Sequence, residues 1–482
     1  MSADPFPYRA GVKSAKGVTA METEKFDVLV LGSGEAGKYI AWTLGAEGKR
    51  VALVERQYIG GSCPNIACLP SKNVIHSAKV AWYARHLNAF GMKPAGAGID
   101  MTVVRDRKRT MVAGLIDVHE KRFAASHVEL IRGQGVFVAP RTLSVELGAG
   151  GDRRLVTAET VVVSTGSRAV VPDIPGLREA SPMTHVEQLE LDRLPGHLVI
   201  LGGGYIGLEF AQAMVRFGAK VTVLDQSPRL LMREDEDVVT ALAERLVNEG
   251  VHLRLGVTLD SVAGRSGDAV TLRVTGKDGS EEIEATHILA AAGRAPNTDA
   301  IGLEAAGIAV TSTGHIKVDA SLRTSASGVY AVGDCAGSPH FTHIAFDDHR
   351  VVLRAVRGEK PTTLGRQVPY TLFTDPELAH VGLHEHEAKR QGVNYRLAKL
   401  PMAAVLRTRT LGETAGFLKA LIGEDDRILG FTALGVGAGE LLAPVQLAMA
   451  TGLPYTALAE LIVTHPTLTE GLVYLFSAVP AK

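Results

Sequence analysis

The order of apolar and polar positions along this chain of 482 residues predicts alternating strands and helices. Apolar runs at 26–31 and 198–201 each end in a glycine-rich turn. A helical stretch follows each turn (39–47 after the first), and further apolar runs follow at 51–54 and 221–224. Short apolar runs that alternate with helices are typical of buried parallel strands. The pattern therefore predicts an α/β fold that contains one strand–turn–helix–strand unit twice.

The pattern changes from about residue 359 onward. Strand-like runs lie at 368–373, 416–422 and 428–434, and a helical stretch lies at 440–449. Strands that precede a helix without regular alternation indicate a separate α+β unit at the C-terminal end.

Both repeated units carry the glycine pattern of a dinucleotide fingerprint. The glycines are Gly32, Gly34 and Gly37 in the first unit, and Gly202, Gly204 and Gly207 in the second. The first glycine permits a tight turn, the second lets the main chain approach a pyrophosphate, and the third allows close helix–strand packing. An acid stands at the same distance after each first glycine, Glu55 (32 to 55) and Asp225 (202 to 225). We therefore expect the chain to bind two dinucleotides.

Cys63 and Cys68 are two of only three cysteines. On a regular helix, Cα atoms five residues apart are separated by roughly 8.6 Å, whereas a disulfide needs less than about 7 Å. A bridge would therefore require a distorted first turn, and Pro64 suits a helix start. Strained, accessible disulfides tend to be catalytic. The alternative is a pair of buried thiols at accidental spacing.

Composition narrows the classes of partner. The formal net charge is −1 and no basic block occurs, so neither nucleic acid nor an anionic membrane is an expected partner. No apolar run reaches the roughly 18 residues that a membrane-spanning helix needs. Three cysteines fit a reducing cytoplasm, where we expect the protein to act. Residues 1–21 lack the apolar core of a secretory signal and are expected to form a disordered tail.

These motifs together resemble the class I pyridine nucleotide–disulfide oxidoreductases, which include dihydrolipoamide dehydrogenase, glutathione reductase and mercuric reductase. Family motifs occur in the family's order between 26 and 476, at 60–72, 164–166, 293–297, 329–334 and 465–470. The resemblance implies two Rossmann-like dinucleotide-binding domains, one for FAD and one for NAD(P), and a C-terminal α+β dimerisation domain.

The resemblance also implies domain boundaries. They are 22–176 for the first part of the FAD domain, 177–290 for the NAD(P) domain, 291–358 for the remaining FAD and central part, and 359–482 for the dimerisation domain.

Six residues match the family's catalytic groups. Cys68 matches the charge-transfer thiol beside the flavin, and Cys63 matches the interchange thiol that attacks the substrate. His465 matches the acid–base histidine, which the partner subunit supplies in the family, and Glu470 matches the acid that orients it. Lys72 and Glu209 match an ion pair near the flavin N5.

The cofactor-binding residues implied by the resemblance include both fingerprints and their acids. The further members are Gly61, Ser62, Thr165, Gly166, Tyr205, Gly293, Gly333 and Asp334. Tyr205 matches a family residue that covers the nicotinamide pocket. Asp225 favours NADH because an acid repels a 2′-phosphate, whereas Arg229 would favour NADPH if it reached that phosphate. No metal site is expected.

The expected activity is FAD-dependent transfer of electrons from NADH, through a Cys63–Cys68 disulfide, to a small disulfide, in the manner of dihydrolipoamide dehydrogenase or its reverse. One alternative is a mercuric-reductase-like or reactive-oxidant reductase without mercuric activity, since no cysteine follows Cys335. Another is a docked subunit of a 2-oxoacid dehydrogenase complex. The expected assembly is a homodimer whose active site both subunits share.

Overall fold

The structure is a computed structural model that describes residues 22–93, 98–148 and 151–482. The tail predicted at 1–21 lies outside the described residues. Contacts divide the chain into two units. The first unit comprises the residues up to Asn73, Val103–Val170 and Gly293–Arg366, and the second comprises Val74–Thr102, Val171–Ala292 and Gln367–Lys482. The domain boundaries expected from the sequence stay predictions.

The strands are numbered along the whole chain. They are β1 Thr23–Leu31, β2 Val51–Glu55, β3 Val128–Arg132, β4 Gln134–Ala139, β5 Thr142–Leu147, β6 Asp152–Val163, β7 Ser167–Ala169, β8 His197–Leu201, β9 Lys220–Asp225, β10 Val251–Leu255, β11 Thr258–Gly264, β12 Val270–Gly276, β13 Gly279–Ala285, β14 His287–Ala290, β15 Arg294–Pro296, β16 Val329–Ala331, β17 Tyr370–Leu372, β18 Glu377–Gly382, β19 Arg396–Pro401, β20 Phe417–Ile422 and β21 Ile428–Gly435.

The helices are numbered in the same way. They are α1 Glu35–Ala46, α2 Ser62–Ile66, α3 Cys68–Arg85, α4 Met101–Ala125, α5 His185–Gln188, α6 Tyr205–Phe217, α7 Glu236–Asn248, α8 Thr342–Val356, α9 Glu385–Gln391, α10 Leu406–Leu411, α11 Leu442–Thr451, α12 Thr456–Ala459 and α13 Glu470–Ser477. None of the helices in the described part of the chain is both long and apolar enough to cross a bilayer.

The first unit is built on a seven-stranded sheet in the order β3-β2-β1-β6-β5-β4, with β16 paired to β6. Strands β1, β2, β3, β6 and β16 run parallel, and β4 and β5 form an antiparallel extension. Every residue of β2 is buried, as expected of a parallel strand that is covered on both faces. Helix α1 packs its buried Ile40 and Leu44 into one of the two cores of this sheet.

The second unit repeats the strand–turn–helix–strand arrangement. Its parallel sheet has the order β10-β9-β8-β14, and β11, β12 and β13 form an antiparallel sheet. The unit also contains a five-stranded antiparallel sheet, β17-β18-β21-β20-β19, whose core includes apolar residues of α11 and α13. The predicted α/β fold with an α+β C-terminal part is therefore confirmed.

Two strands of the C-terminal sheet were not predicted from the sequence. Strand β18 is a buried strand interrupted by His380, and β19 alternates apolar residues with Arg396 and Lys399. Neither forms a recognisable apolar run, because partners distant in sequence satisfy their polar groups. The helix predicted at 440–449 is a 3₁₀ turn, Ala438–Leu441, followed by α11.

Close main-chain contacts explain the glycines of the second fingerprint. Gly202 has φ +110°, and a Cβ there would lie 2.5 Å from the Ala291 carbonyl oxygen. A Cβ on Gly207 would lie 2.1 Å from the Gly202 carbonyl oxygen. A Cβ on Gly204 would meet no atom within 4 Å. The fold therefore requires the first and third glycines, whereas the second leaves open space.

These contacts predict opposite results for two substitutions to alanine. Gly207→Ala should lower the free energy of unfolding by about 2 kcal/mol or more, because a helix and a strand must move apart. Gly204→Ala should leave the thermal unfolding midpoint unchanged within error. Thermal unfolding of both variants measures the difference, and equal midpoints would contradict this account of the turn.

Candidate active site

The predicted redox segment starts at a tight turn between β2 and α2. Gly60 and Gly61 both have positive φ. A Cβ on Gly61 would lie 2.6 Å from the Gly34 Cα, so this turn lies directly against the first fingerprint. Helix α2 ends at Ile66, the next residue, Ala67, has φ −130° and ψ −105°, and α3 begins at Cys68. The helical path is therefore interrupted between the two cysteines, as a bridge between them requires.

Cys63 and Cys68 are both half-buried thiols in this structure. The Cys68 Sγ lies 3.2 Å from the Thr342 Oγ1 on α8. A hydrogen bond with Cys68 raises the pKa of Cys63 far above that of an ordinary thiol, and burial raises it further. The two sulfurs are therefore within interaction range, and negative charge on the pair is favoured at Cys68.

Glu55 organises the first nucleotide turn through main-chain contacts. Its Oε2 accepts hydrogen bonds from the Ser33 N–H (2.8 Å) and the Ser33 hydroxyl (2.7 Å). Its Oε1 accepts from the N–H groups of Gln57 (2.8 Å) and Tyr58 (3.1 Å). The sequence predicts Glu55 as a cofactor-binding residue. The structure shows that this carboxylate also fixes the shape of the loop.

The half-buried Arg294 is connected to the predicted flavin residue Asp334 through Ser167. The Arg294 guanidinium donates to the Ser167 hydroxyl (2.8 Å) and carbonyl oxygen (2.9 Å), and the Ser167 hydroxyl donates to Asp334. Burial lowers the pKa of Arg294, and the nearby charges of Asp334 and Cys68 oppose that effect. Ser167 was not predicted from the sequence, because no motif indicates its contact with Asp334, which lies 167 positions away.

The main chain at 165–166 is held by Asn297. Its side-chain amide donates to the Thr165 carbonyl oxygen at 2.9 Å, and its N–H donates to the Gly166 carbonyl oxygen at 2.9 Å. Gly166 and Gly293 both have positive φ, and a Cβ on either would meet no atom within 4 Å. Main chain with open space beside it suits a flat cofactor such as FAD. The helical turn at 333–336 contains the predicted Gly333.

Asp225 repeats the role of Glu55 in the second unit. Its Oδ2 accepts from the Gly203 N–H at 2.7 Å, and its Oδ1 accepts from the Ser227 N–H at 2.7 Å. The open space at Gly204, immediately before α6, fits a pyrophosphate at the helix N-terminus. The residues of this turn therefore fit a nicotinamide dinucleotide.

Tyr205 is the first residue of α6 and donates its phenolic proton to Glu234 at 2.8 Å. Glu209, on the same helix, is buried and accepts a hydrogen bond from the Phe373 N–H at 2.9 Å. Lys72 lies on α3. The pairing of Lys72 with Glu209 stays a prediction.

His465 and Glu470 form a hydrogen-bonded pair. The His465 Nδ1 lies 2.9 Å from the Glu470 Oε1, and the Glu470 Oε2 accepts from the Thr467 N–H at 2.9 Å. The hydrogen bond from the Thr467 N–H lowers the pKa of Glu470, and the hydrogen bond with His465 lowers it further. The side chain of His465 is 62% exposed. A fixed carboxylate therefore orients an imidazole whose outer edge is accessible, which is an arrangement suited to proton transfer.

Comparison with known proteins agrees with this geometry. Residues 26–348 match the family described as pyridine nucleotide-disulphide oxidoreductase, and residues 368–476 match its dimerisation domain. The chain is 35% identical to the probable pyridine nucleotide-disulfide oxidoreductase RclA of Escherichia coli, over 94% of this chain and 99% of that protein. It is 32% identical to dihydrolipoyl dehydrogenase of Geobacillus stearothermophilus, over 94% and 95% of the two chains.

Solved structures give the same result. The HOCl-induced flavoprotein disulfide reductase RclA of Escherichia coli, in a Cu(II) complex, superimposes with a TM-score of 0.86 over 95% of this chain and 100% of that chain, at 35% identity. The predicted family, cofactors and enzyme class are therefore confirmed, and the dimerisation domain agrees with a homodimer. The chain belongs to the class I pyridine nucleotide–disulfide oxidoreductases, enzymes that use FAD and NAD(P)H for disulfide oxidoreduction.

Proposed function

We propose that this enzyme reduces a small disulfide with NADH, using Cys63 and Cys68 as the redox pair and His465 as the acid–base group. The observation that carries the proposal is the pair of His465 with an anchored Glu470, because a thiol–disulfide exchange site needs a base that is held in place. FAD, when bound, supplies the two electrons from NADH that open the Cys63–Cys68 disulfide.

The two cysteines have different tasks in the exchange. The Cys63 thiolate attacks one substrate sulfur and forms a mixed disulfide, and the released substrate thiolate takes a proton from His465. The Cys68 thiolate then attacks the Cys63 sulfur, releases the second substrate thiolate and restores the Cys63–Cys68 disulfide. The raised pKa of Cys63 means that its proton must be removed before it can attack, which is the task assigned to His465.

The shared active site is part of the proposal. His465 lies within the segment that matches the family's dimerisation domain. Ile462 is 98% exposed and Leu461 is also exposed, so exposed apolar side chains lie close to His465 in the sequence. Apolar surface of this kind favours burial against a second copy of the chain. In the proposed dimer, His465 of each chain completes the site of the other.

A second candidate acceptor is Cu(II). The Escherichia coli relative, RclA, is a flavoprotein disulfide reductase with a solved Cu(II) complex. A dithiol that gives two electrons could reduce two Cu(II) ions to Cu(I) and become a disulfide. Consumption of NADH with Cu(II), and its loss in Cys63→Ser, would favour this candidate over a disulfide substrate. The docked dehydrogenase subunit is a further alternative, which co-purification with a large assembly would favour.

The contacts of the second turn support NADH as the electron donor. The Asp225 carboxylate sits at the end of β9, where a 2′-phosphate would meet its charge. The Arg229 guanidinium donates to the main-chain carbonyl oxygens of Glu234 (2.9 Å) and Met232 (3.0 Å). Arg229 is therefore engaged with its own loop in this structure.

Removal of the acid–base group should separate the two half-reactions. In His465→Ala we expect flavin reduction by NADH to persist, while disulfide turnover falls at least about 100-fold, because a positioned general acid–base contributes at least that factor. Stopped-flow reduction and steady-state turnover measure the two steps. His252→Ala, at an exposed histidine of β10, is the control. Normal turnover in His465→Ala would contradict the assignment.

The charge of Asp225 should decide the nucleotide preference. Asp225→Asn keeps one of the two oxygens that accept from main-chain N–H groups and removes the repulsion of a 2′-phosphate. We expect the ratio of kcat/KM for NADPH to that for NADH to rise about tenfold, which corresponds to about 1.4 kcal/mol. The exposed Asp268→Asn serves as control. An unchanged ratio would show that another residue sets the preference.

The interaction between the two thiols predicts that replacement of Cys68 changes the reactivity of Cys63. In Cys68→Ser the neighbouring group no longer ionises, so the pKa of Cys63 should fall. Iodoacetamide should then alkylate Cys63 several-fold faster at pH 7 than in the reduced wild-type protein, as followed by intact mass. Cys335 is buried and should stay unlabelled in both proteins. Equal rates would contradict the assigned cause of the raised pKa.

A further inference from the structure

A buried carboxylate holds two tyrosines of the second unit. The Glu234 side chain is fully buried, and its Oε1 accepts hydrogen bonds from the hydroxyls of Tyr205 (2.8 Å) and Tyr370 (2.7 Å). The two rings stack with their centroids 5.7 Å apart. Tyr205 begins α6, Glu234 precedes α7, and Tyr370 begins β17. One carboxylate therefore joins the fingerprint helix to a strand of the C-terminal sheet.

The protonation states of this cluster follow from its surroundings. Burial raises the pKa of Tyr205 and of Tyr370, and the charge of Glu234 raises both further, so both phenols stay protonated and donate. Because Tyr370 donates its proton to Glu234, its oxygen accepts from the Nε2–H of His384, 3.0 Å away. Burial lowers the pKa of His384, which favours this neutral ring.

The second oxygen of Glu234 has no hydrogen-bond partner among the residues that the structure describes, although it is buried. Leaving a buried carboxylate oxygen unpaired is costly, and such groups concentrate at functional sites. The adjacent Asp235 does not share this state, since Lys419 (2.7 Å) and His386 (2.8 Å) both contact its carboxylate. Within this pair of adjacent acids, the unpaired oxygen therefore belongs to Glu234, the residue that holds Tyr205.

We propose that Glu234 and Tyr370 form a latch that holds Tyr205 in its closed orientation, and that release of this latch sets the apparent affinity for NADH. The inference rests on the proposed function, with Tyr205 as the residue that covers the nicotinamide pocket, a role that the family resemblance implies. Opening breaks the hydrogen bond from Tyr205 to Glu234, while Tyr370 keeps the carboxylate in place. The apparent affinity is the affinity of the open state multiplied by the fraction of molecules that are open, so it falls as the latch keeps more molecules closed. Glu234 and Tyr370 are thus positioning residues for nucleotide entry.

An enzyme with a weaker latch should therefore bind NADH more tightly. Glu234→Gln keeps the size and the acceptor oxygen but replaces a charged acceptor with a neutral one, which weakens the hydrogen bond. We expect the apparent Kd for NADH, from anaerobic stopped-flow reduction of the holoenzyme, to fall about fivefold. The change should appear mainly in Kd and less in the limiting rate. Misfolding would raise Kd, so it cannot imitate this result.

Glu424→Gln is the matched control, because Glu424 is an exposed acid that accepts a hydrogen bond from Asn394. Its apparent Kd should equal that of the wild type. Tyr205→Phe removes the donor of the latch and should also lower Kd. Since the two residues act through one hydrogen bond, Glu234→Gln should add less than twofold in the Tyr205→Phe background.

Three outcomes would overturn the latch. They are an unchanged or higher Kd in Glu234→Gln, a full fivefold effect of Glu234→Gln in the Tyr205→Phe background, or a similar fall in Glu424→Gln. Failure of the proposed function has a separate signature. If the reduced wild type shows no thiolate–flavin absorbance and no disulfide turnover, the disulfide chemistry is wrong, whereas the Kd series still decides the latch.

Discussion

Both nucleotide turns depend on one hydrogen bond between a main-chain N–H and an acid. In the first turn the Ser33 N–H donates to Glu55 at 2.8 Å, and in the second the Gly203 N–H donates to Asp225 at 2.7 Å. This bond connects the residue after the first glycine, just before the start of the following helix, to the end of the next strand. The redox segment packs against the first of these turns, because Gly61 lies directly against Gly34. The positions of the thiols are therefore set by the first turn.

Local signals were enough to predict much of this protein. The two fingerprints, the cysteine pair and the His465–Glu470 pair are each confined to a short segment, so spacing and residue type identify them. The latch is different, because Tyr370 is 136 residues from Glu234 in the chain. Nothing at position 234 of the sequence distinguishes a buried acid from a solvated one. The same limit explains why β18 was missed, since distant partners bury its polar residues.

Charge placement links the structure to the chemistry. Hydrogen-bond donors hold two acids in place. A main-chain N–H holds Glu470, and two phenol hydroxyls hold Glu234. The thiol pair instead shares one favoured negative charge, since the pKa of Cys63 is raised by its neighbour. Such a site needs a proton acceptor that is not one of the two thiols. In the proposed dimer, the exposed imidazole of His465 from the partner copy is this acceptor.

The central claim is that electrons from NADH are stored on Cys63 and Cys68 before they reach the acceptor. Anaerobic titration of the oxidised holoenzyme with NADH tests it directly. We expect the first equivalent to produce a long-wavelength thiolate–flavin band while the flavin stays oxidised, and we expect Cys63→Ser to lose this storage of electrons. Bleaching of the flavin by the first equivalent, with the same titration curve in Cys63→Ser, would contradict it.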